Sequence, residues 1–145
     1  MKYTKETYKA VARLNKQGFN IDGVKDTYSK WKNLRDYIED NPKFSGLLLK
    51  KVKGKIVGYL FWSFDGVAMR TNRRAVDKAC RGKGYGVLLT ARLIKKAAKW
   101  GFPYQTYAAN WNLASINSSI KCGCKIKKIG KRWTHLEAGN NILED

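Results

Sequence analysis

Acidic residues and histidine are scarce in this sequence: 11 Asp and Glu stand against 30 Lys and Arg, and there is a single His. With one imidazole and three cysteines, two of them in the C-x-C pair Cys122 and Cys124, the chain is poor material for a zinc site, which wants soft ligands at recurring spacings. No metal is expected, and Cys80, Cys122 and Cys124 read as reduced, packed thiols. Proline is nearly missing, at two residues, and there is no repeat, low-complexity tract or Pro/Gly/Ser linker at which the chain could divide. Residues 1–145 are therefore expected to form one domain. No window approaches the roughly 18 consecutive apolar residues of a membrane span, and MKYTKETYKAVARLNKQ has no signal-peptide core. The expectation is a cytoplasmic protein with no membrane partner.

What the sequence has in excess is positive charge, +19 in 16.6 kDa, spread along the chain rather than gathered in a tail. Hydrophobic residues make up 43% of it, and a chain this long buries roughly 70% of its unfolded surface, so a charged shell around an ordinary core is feasible. Such a shell concentrates polyanions and repels basic peptides, which makes nucleic acid the natural partner. A basic surface without a specific partner is the alternative.

Periodicity gives the order of elements. Tyr8, Val11 and Leu14 fall at helical spacing within Lys5–Leu14, as do Trp31, Leu34 and Ile38 within Thr27–Glu39. Strands follow: Ser45–Val52, then KIVGYLFWSF after the Lys53-Gly54 turn, then VAMRTNRRAV after the Asp65-Gly66 turn, an antiparallel meander. From Val87 to Trp100, Leu89, Leu93, Ala97 and Trp100 share one face, and Arg92, Lys95, Lys96 and Lys99 line the other. Gly101 ends this helix. YQTYAA reads as a strand, Asn112–Lys121 as a helix, and KIKKI with RWTHL as a closing hairpin.

Between meander and main helix lies R-G-K-G-Y-G, residues 81–86. A helix N-terminus offers unpaired N–H groups and a partial positive charge, so it attracts an anion. Gly82, Gly84 and Gly86 let backbone close around such a group, with Tyr85 between the last two, and Arg81 and Lys83 add charge-assisted contacts. The spacing is neither that of a Walker loop nor that of a dinucleotide fingerprint.

RAVDKACRGKGYGVLLTARLI resembles the acyl-CoA-binding motif of the GNAT acetyltransferase superfamily, in which R-G-x-G-x-G opens the central helix. Asn112 at the start of the next helix, Ser115 three residues on, and the order of elements fit the same family over roughly residues 3–137; its first strand has only the neighbourhood of Tyr3 as a candidate. The resemblance implies an α/β (α+β) fold: a splayed, mixed, mostly antiparallel sheet with about four helices. It implies acetyl-CoA or another acyl-CoA as cofactor, with the pyrophosphate on residues 81–86 and the thioester near Ala75 and Val76. A homodimer is compatible with it, although no residue pattern here argues for one.

The sequence departs from the family pattern at two points. Where the family often has a tyrosine to protonate the leaving thiol, Ser119 stands; Tyr107 and Tyr104 are the substitutes, with Asp77 and Asp65 the nearest carboxylates. Where some protein-acetylating members have a glutamate base, Arg70 stands, which disfavours a lysine acceptor and favours an anionic one. Together with Arg73, Arg74 and the aromatic Trp111, this points to an N-acyltransferase acting on an amine of a nucleic acid, with DNA base modification of the phage kind preferred. Three alternatives remain open: a toxin acetylating aminoacyl-tRNA, a protein or small-molecule N-acetyltransferase, and a binding module that retains the fold without the reaction.

Overall fold

The computed structural model describes residues 3–18 and 27–139. Residues 1–2, 19–26 and 140–145, which the expected domain of 1–145 includes, lie outside the described residues. Helices α1 (Lys5–Gly18) and α2 (Trp31–Asp40) precede the meander β1 (Ser45–Val52), β2 (Lys55–Phe64) and β3 (Met69–Val76). Helix α3 (Tyr85–Trp100), strand β4 (Tyr104–Ala109), helix α4 (Leu113–Lys121) and the hairpin β5 (Lys125–Ile129) and β6 (Trp133–Ala138) complete the chain. The strands form one open sheet in the order β1-β2-β3-β4-β6-β5, antiparallel throughout except between β3 and β4. This is the expected mixed, mostly antiparallel α/β architecture.

Several details differ from the sequence reading, α1 running on to Gly18 and β3 starting only at Met69. Thr27–Ser29 is a separate 3-10 turn, and α2 starts at Trp31 because Lys30 is extended, at φ −95° and ψ 111°. Helix α3 begins at Tyr85, ahead of the expected Val87, since Gly84 in the left-handed region supplies the N-cap. Tyr3 belongs to no strand. Instead its phenol donates to the Leu47 carbonyl at 3.2 Å and accepts from the Leu47 N–H at 3.0 Å, engaging β1 with a side chain.

Strand β2 explains the two-sided core. Successive strand residues point to opposite faces, so Leu60 and Trp62 pack with Leu89, Leu93 and Leu136 under α3, while Tyr59 and Phe61 pack with Tyr8, Val11, Leu14 and Leu34 under α1 and α2. Lys96, expected on the solvent face of α3, folds its stem back so that its ammonium lies 5.0 Å from the Trp62 ring and 4.9 Å from that of Trp100.

The feature that makes a site is the shortness of the β3–β4 ladder, which consists of Met69 with Tyr104 and Arg70 with Gln105. Immediately beyond it, β3 carries a bulge: Thr71 faces Trp62 and Arg73 faces Phe61, leaving Asn72 as the extra residue. A bulge bends its strand and sharpens the twist, so β3 follows β2 away from β4. At the apex, the hydroxyls of Tyr104 and Thr71 are 2.6 Å apart and pin the strands where they part.

Replacing Leu93, fully buried, with alanine should cost about 3 kcal/mol in urea-induced unfolding. The same change at the exposed Leu88 should cost under about 1 kcal/mol.

Candidate active site

The loop from β3 to α3 is built around two left-handed glycines, Gly82 at φ +81° and Gly84 at φ +80°. No atom lies within 4 Å of where a Cβ would stand on either, so backbone conformation, not crowding, calls for glycine there. No side chain caps α3, so its first-turn N–H groups and the positive end of its dipole are left to an anion. Arg81, at the mouth, donates from Nε to the Val76 carbonyl at 3.2 Å. These features fit the diphosphate of a coenzyme A: a backbone cradle without Cβ atoms, an uncapped helix end and an arginine beside it.

The loop opens onto a cleft of about 780 Å³ between the diverging strands. Of the residues singled out from sequence, Arg81, Gly82, Gly84, Tyr85 and Gly86 form its loop wall, and Arg73, Arg74, Ala75 and Val76 its β3 wall. Asn112, Ser115 and Ser119 line it from α4, with Trp111 and Tyr107 nearby. Lys83 is not part of the lining. Asp77 also lies outside it, its carboxylate accepting from the Ala79 N–H at 3.1 Å as the cap of a 3-10 turn.

The bulge at Asn72 redistributes the arginines. Strict alternation would put Arg70 and Arg74 on one face and Arg73 on the other. The extra residue instead sets Arg70 and Arg73 on the α1–α2 side and turns Arg74 toward α3 and α4. Arg74, expected to meet nucleic acid, has its guanidinium on Thr90 Oγ1 at 2.5 Å, the Gly86 carbonyl at 3.3 Å and Ser115 Oγ at 3.4 Å. Arg70 pairs with Asp65 at 2.8 Å, which leaves Asp65 unsuited to be a base. The N–H groups of Ala68 and Val67 and the Arg70 guanidinium hold the Asp65 carboxyl at about 2.

Ser119 is buried, 2% exposed, whereas Tyr107 is open to solvent with its ring stacked on His135, centroids 4.6 Å apart. Asn112 caps α4, its side chain accepting from the Ser115 N–H at 3.2 Å.

On the α1–α2 side of the sheet a second groove, of about 660 Å³, runs on from the cleft through Thr71, Asn72, Arg73, Tyr107 and Trp133 to Tyr28 and Arg70. The Arg73 guanidinium sits 5.6 Å from the Tyr28 ring centroid. Sequence reasoning missed Tyr28 and Thr90. Tyr28 precedes α2 and reaches β3 only through the tertiary fold. Thr90 had a signal, a hydroxyl within the apolar face of α3, which when buried demands a partner.

Residues 8–123 match the model of the acetyltransferase (GNAT) family, and the chain belongs to that family. Solved structures agree in fold. A paia N-acetyltransferase from Thermoplasma acidophilum in complex with coenzyme A aligns with TM-score 0.78 at 13% identity, over 96% of each chain. A ribosomal-protein-alanine N-acetyltransferase from Brucella melitensis aligns with TM-score 0.77 at 19% identity, over 96% of this chain and 98% of that one. An N-acetyltransferase from Staphylococcus aureus Mu50 gives 0.77 at 20% identity, over 97% and 96%. No curated protein matches by sequence. Among the described residues no cluster of His, Cys, Asp or Glu could hold a metal ion, and no helix is long and apolar enough to cross a membrane.

The Asp65 carboxyl, at about 2 in the folded protein against roughly 3.9 unfolded, stabilises the fold above the unfolded value. That contribution is lost as pH falls through 2. Asp65→Asn should therefore be less stable than the native chain at neutral pH, and the gap in unfolding midpoint should close as acid is added; a gap independent of pH would refute the assignment.

Proposed function

We propose that this chain transfers an acyl group from acyl-CoA directly to an amine carried on an anionic acceptor, a nucleic acid being the class its charge favours. The observation that carries the reading is the acceptor groove: Arg70, Arg73, Asn72, Tyr28, Tyr107 and Trp133 meet there, and among the described residues no carboxylate lines it, Asp65 reaching only Arg70 at its edge. Such a wall combines phosphate-seeking cations with aromatic faces on which a base can stack. It is a poor host for a lysine or polyamine. Beyond it, Lys5, Lys9, Lys32 and Arg35 crowd the Trp31 ring at 5.5, 5.8, 5.8 and 5.1 Å, and a polyanion would relieve their mutual repulsion.

The chemistry asks little of the protein beyond placement. The glycine cradle and the N-terminus of α3 hold the diphosphate, and β3, unpaired with β4 beyond Arg70, offers backbone groups along the cleft. Because the groove is cationic, an amine entering it is disfavoured in its protonated form, so the nucleophile is kept neutral without a strong base. A DNA base would have to leave its stack to reach the cleft. A protein N-terminus is the second reading, favoured by the fold shared with the ribosomal-protein-alanine enzyme.

Incubating the protein with labelled acetyl-CoA and a mixture of DNA, charged tRNA and cell protein separates these readings. Label released by nuclease is expected; label that resists nuclease and yields to protease would overturn the nucleic-acid acceptor. Arg73→Ala should lower acceptor kcat/KM about tenfold, roughly 1.4 kcal/mol, with the KM for acetyl-CoA unchanged, and native activity should fall steeply with added salt.

A further inference from the structure

Arg74 poses a problem that the proposed function does not absorb. Its guanidinium is held between α3 and α4 by the Thr90 and Ser115 hydroxyls and the Gly86 carbonyl, all neutral acceptors. None of the ion pairs among the described residues reaches it. Tyr104 and Cys122 are the titratable groups facing it, and burial pushes both upward, so both are neutral near neutral pH. Burial also lowers the Arg74 pKa, yet a guanidinium stays protonated in proteins, so the cleft wall keeps a positive charge that the protein does not offset. A desolvated charge without a counterion is costly and calls for an anion supplied from elsewhere.

A second gap sits beside the first. Ser119 occupies the position at which the family often has a tyrosine to protonate the leaving thiol, and a serine hydroxyl is a weaker acid. Ser115, which accepts from Arg74, precedes Ser119 by four residues, so the two share a face of α4 one turn apart, and both line the cleft.

We propose that Arg74 takes the place of the missing proton donor, its guanidinium stabilising the departing thiolate of coenzyme A. In the transfer the acceptor nitrogen bonds to the acyl carbon as the carbon–sulfur bond breaks, and the bonding pair leaves on sulfur. The surplus amine proton passes to water. Arg74 holds the sulfur as an anion, which needs no proton at the moment of cleavage, and Ser115 and Thr90 fix the guanidinium in place. Preorganised positive charge aimed at developing negative charge is an effective form of transition-state stabilisation. The inference rests on the acyl-CoA reading and fails separately from it.

The test is a titration of the thiol of free CoA bound to the native protein, followed by thiolate absorbance, beside Arg74→Gln and Arg74→Lys. In the native protein the bound thiol should titrate about one unit or more below unbound CoA. Arg74→Gln should return it to the unbound value or above, and Arg74→Lys should restore part of the shift. With the same variants, kcat should fall about 100-fold for glutamine and less for lysine, while the KM for acetyl-CoA moves by under about threefold. A native complex whose thiol titrates as in solution overturns the role of Arg74 and leaves the acyl-CoA reading standing, whether or not the glutamine variant folds. A native protein that binds no CoA overturns both.

Discussion

Strands β3 and β4 are parallel neighbours that pair at Met69–Tyr104 and Arg70–Gln105 and then part. A full parallel ladder would have closed the sheet and left no cleft. The bulge at Asn72 bends β3 at the point of parting, and the Tyr104–Thr71 contact fixes the apex. Every other part of the site depends on that divergence: the cleft, the exposed edge of β3, the room for α4 to bring Asn112, Ser115 and Ser119 against the glycine loop, and the groove on the opposite face. Two apolar clusters on either side of the sheet hold the diverging halves in register.

Charge is arranged on this frame with a division of labour. The glycine loop and Arg81 flank the uncapped N-terminus of α3, Arg70 and Arg73 line the groove on the α1–α2 side, and Arg74 turns to the cleft wall between α3 and α4. The only carboxylate among the described loops around β3 that approaches an arginine, Asp65, is spent on a turn and on Arg70. The net charge of +19 is therefore more than a property of the outer surface. It reaches into the site, where Arg73 and Arg74 line the cleft, and the proposed reaction draws on it both to keep the amine neutral and to let the leaving group depart as an anion.

Much of this is legible in the sequence because it is local. The period of KIVGYLFWSF, the spacing of Leu89, Leu93 and Ala97, the alternating glycines before them and the Asn112 cap each express a backbone requirement within a few residues. The family resemblance supplies the splay, which no local pattern contains. The facing of RTNRRAV is not legible: a bulge at Asn72 reverses the alternation, and nothing in the residue types announces it. Alternation would group Arg74 with Arg70 and set Arg73 apart, whereas in the fold Arg70 and Arg73 share a face and Arg74 takes the other. Tyr28 against Arg73 and Thr90 against Arg74 are contacts between distant elements, set by the way helices pack on the finished sheet.

Amide hydrogen exchange with and without coenzyme A tests the central claim, that the parting of β3 from β4 creates the donor site. The account predicts slowed exchange on adding CoA at the first-turn amides of α3, Tyr85–Val87, and along β3 from Asn72 to Val76, with β1 and β5 unchanged. Unaltered exchange in both segments, or protection confined to the hairpin of β5 and β6, would contradict it.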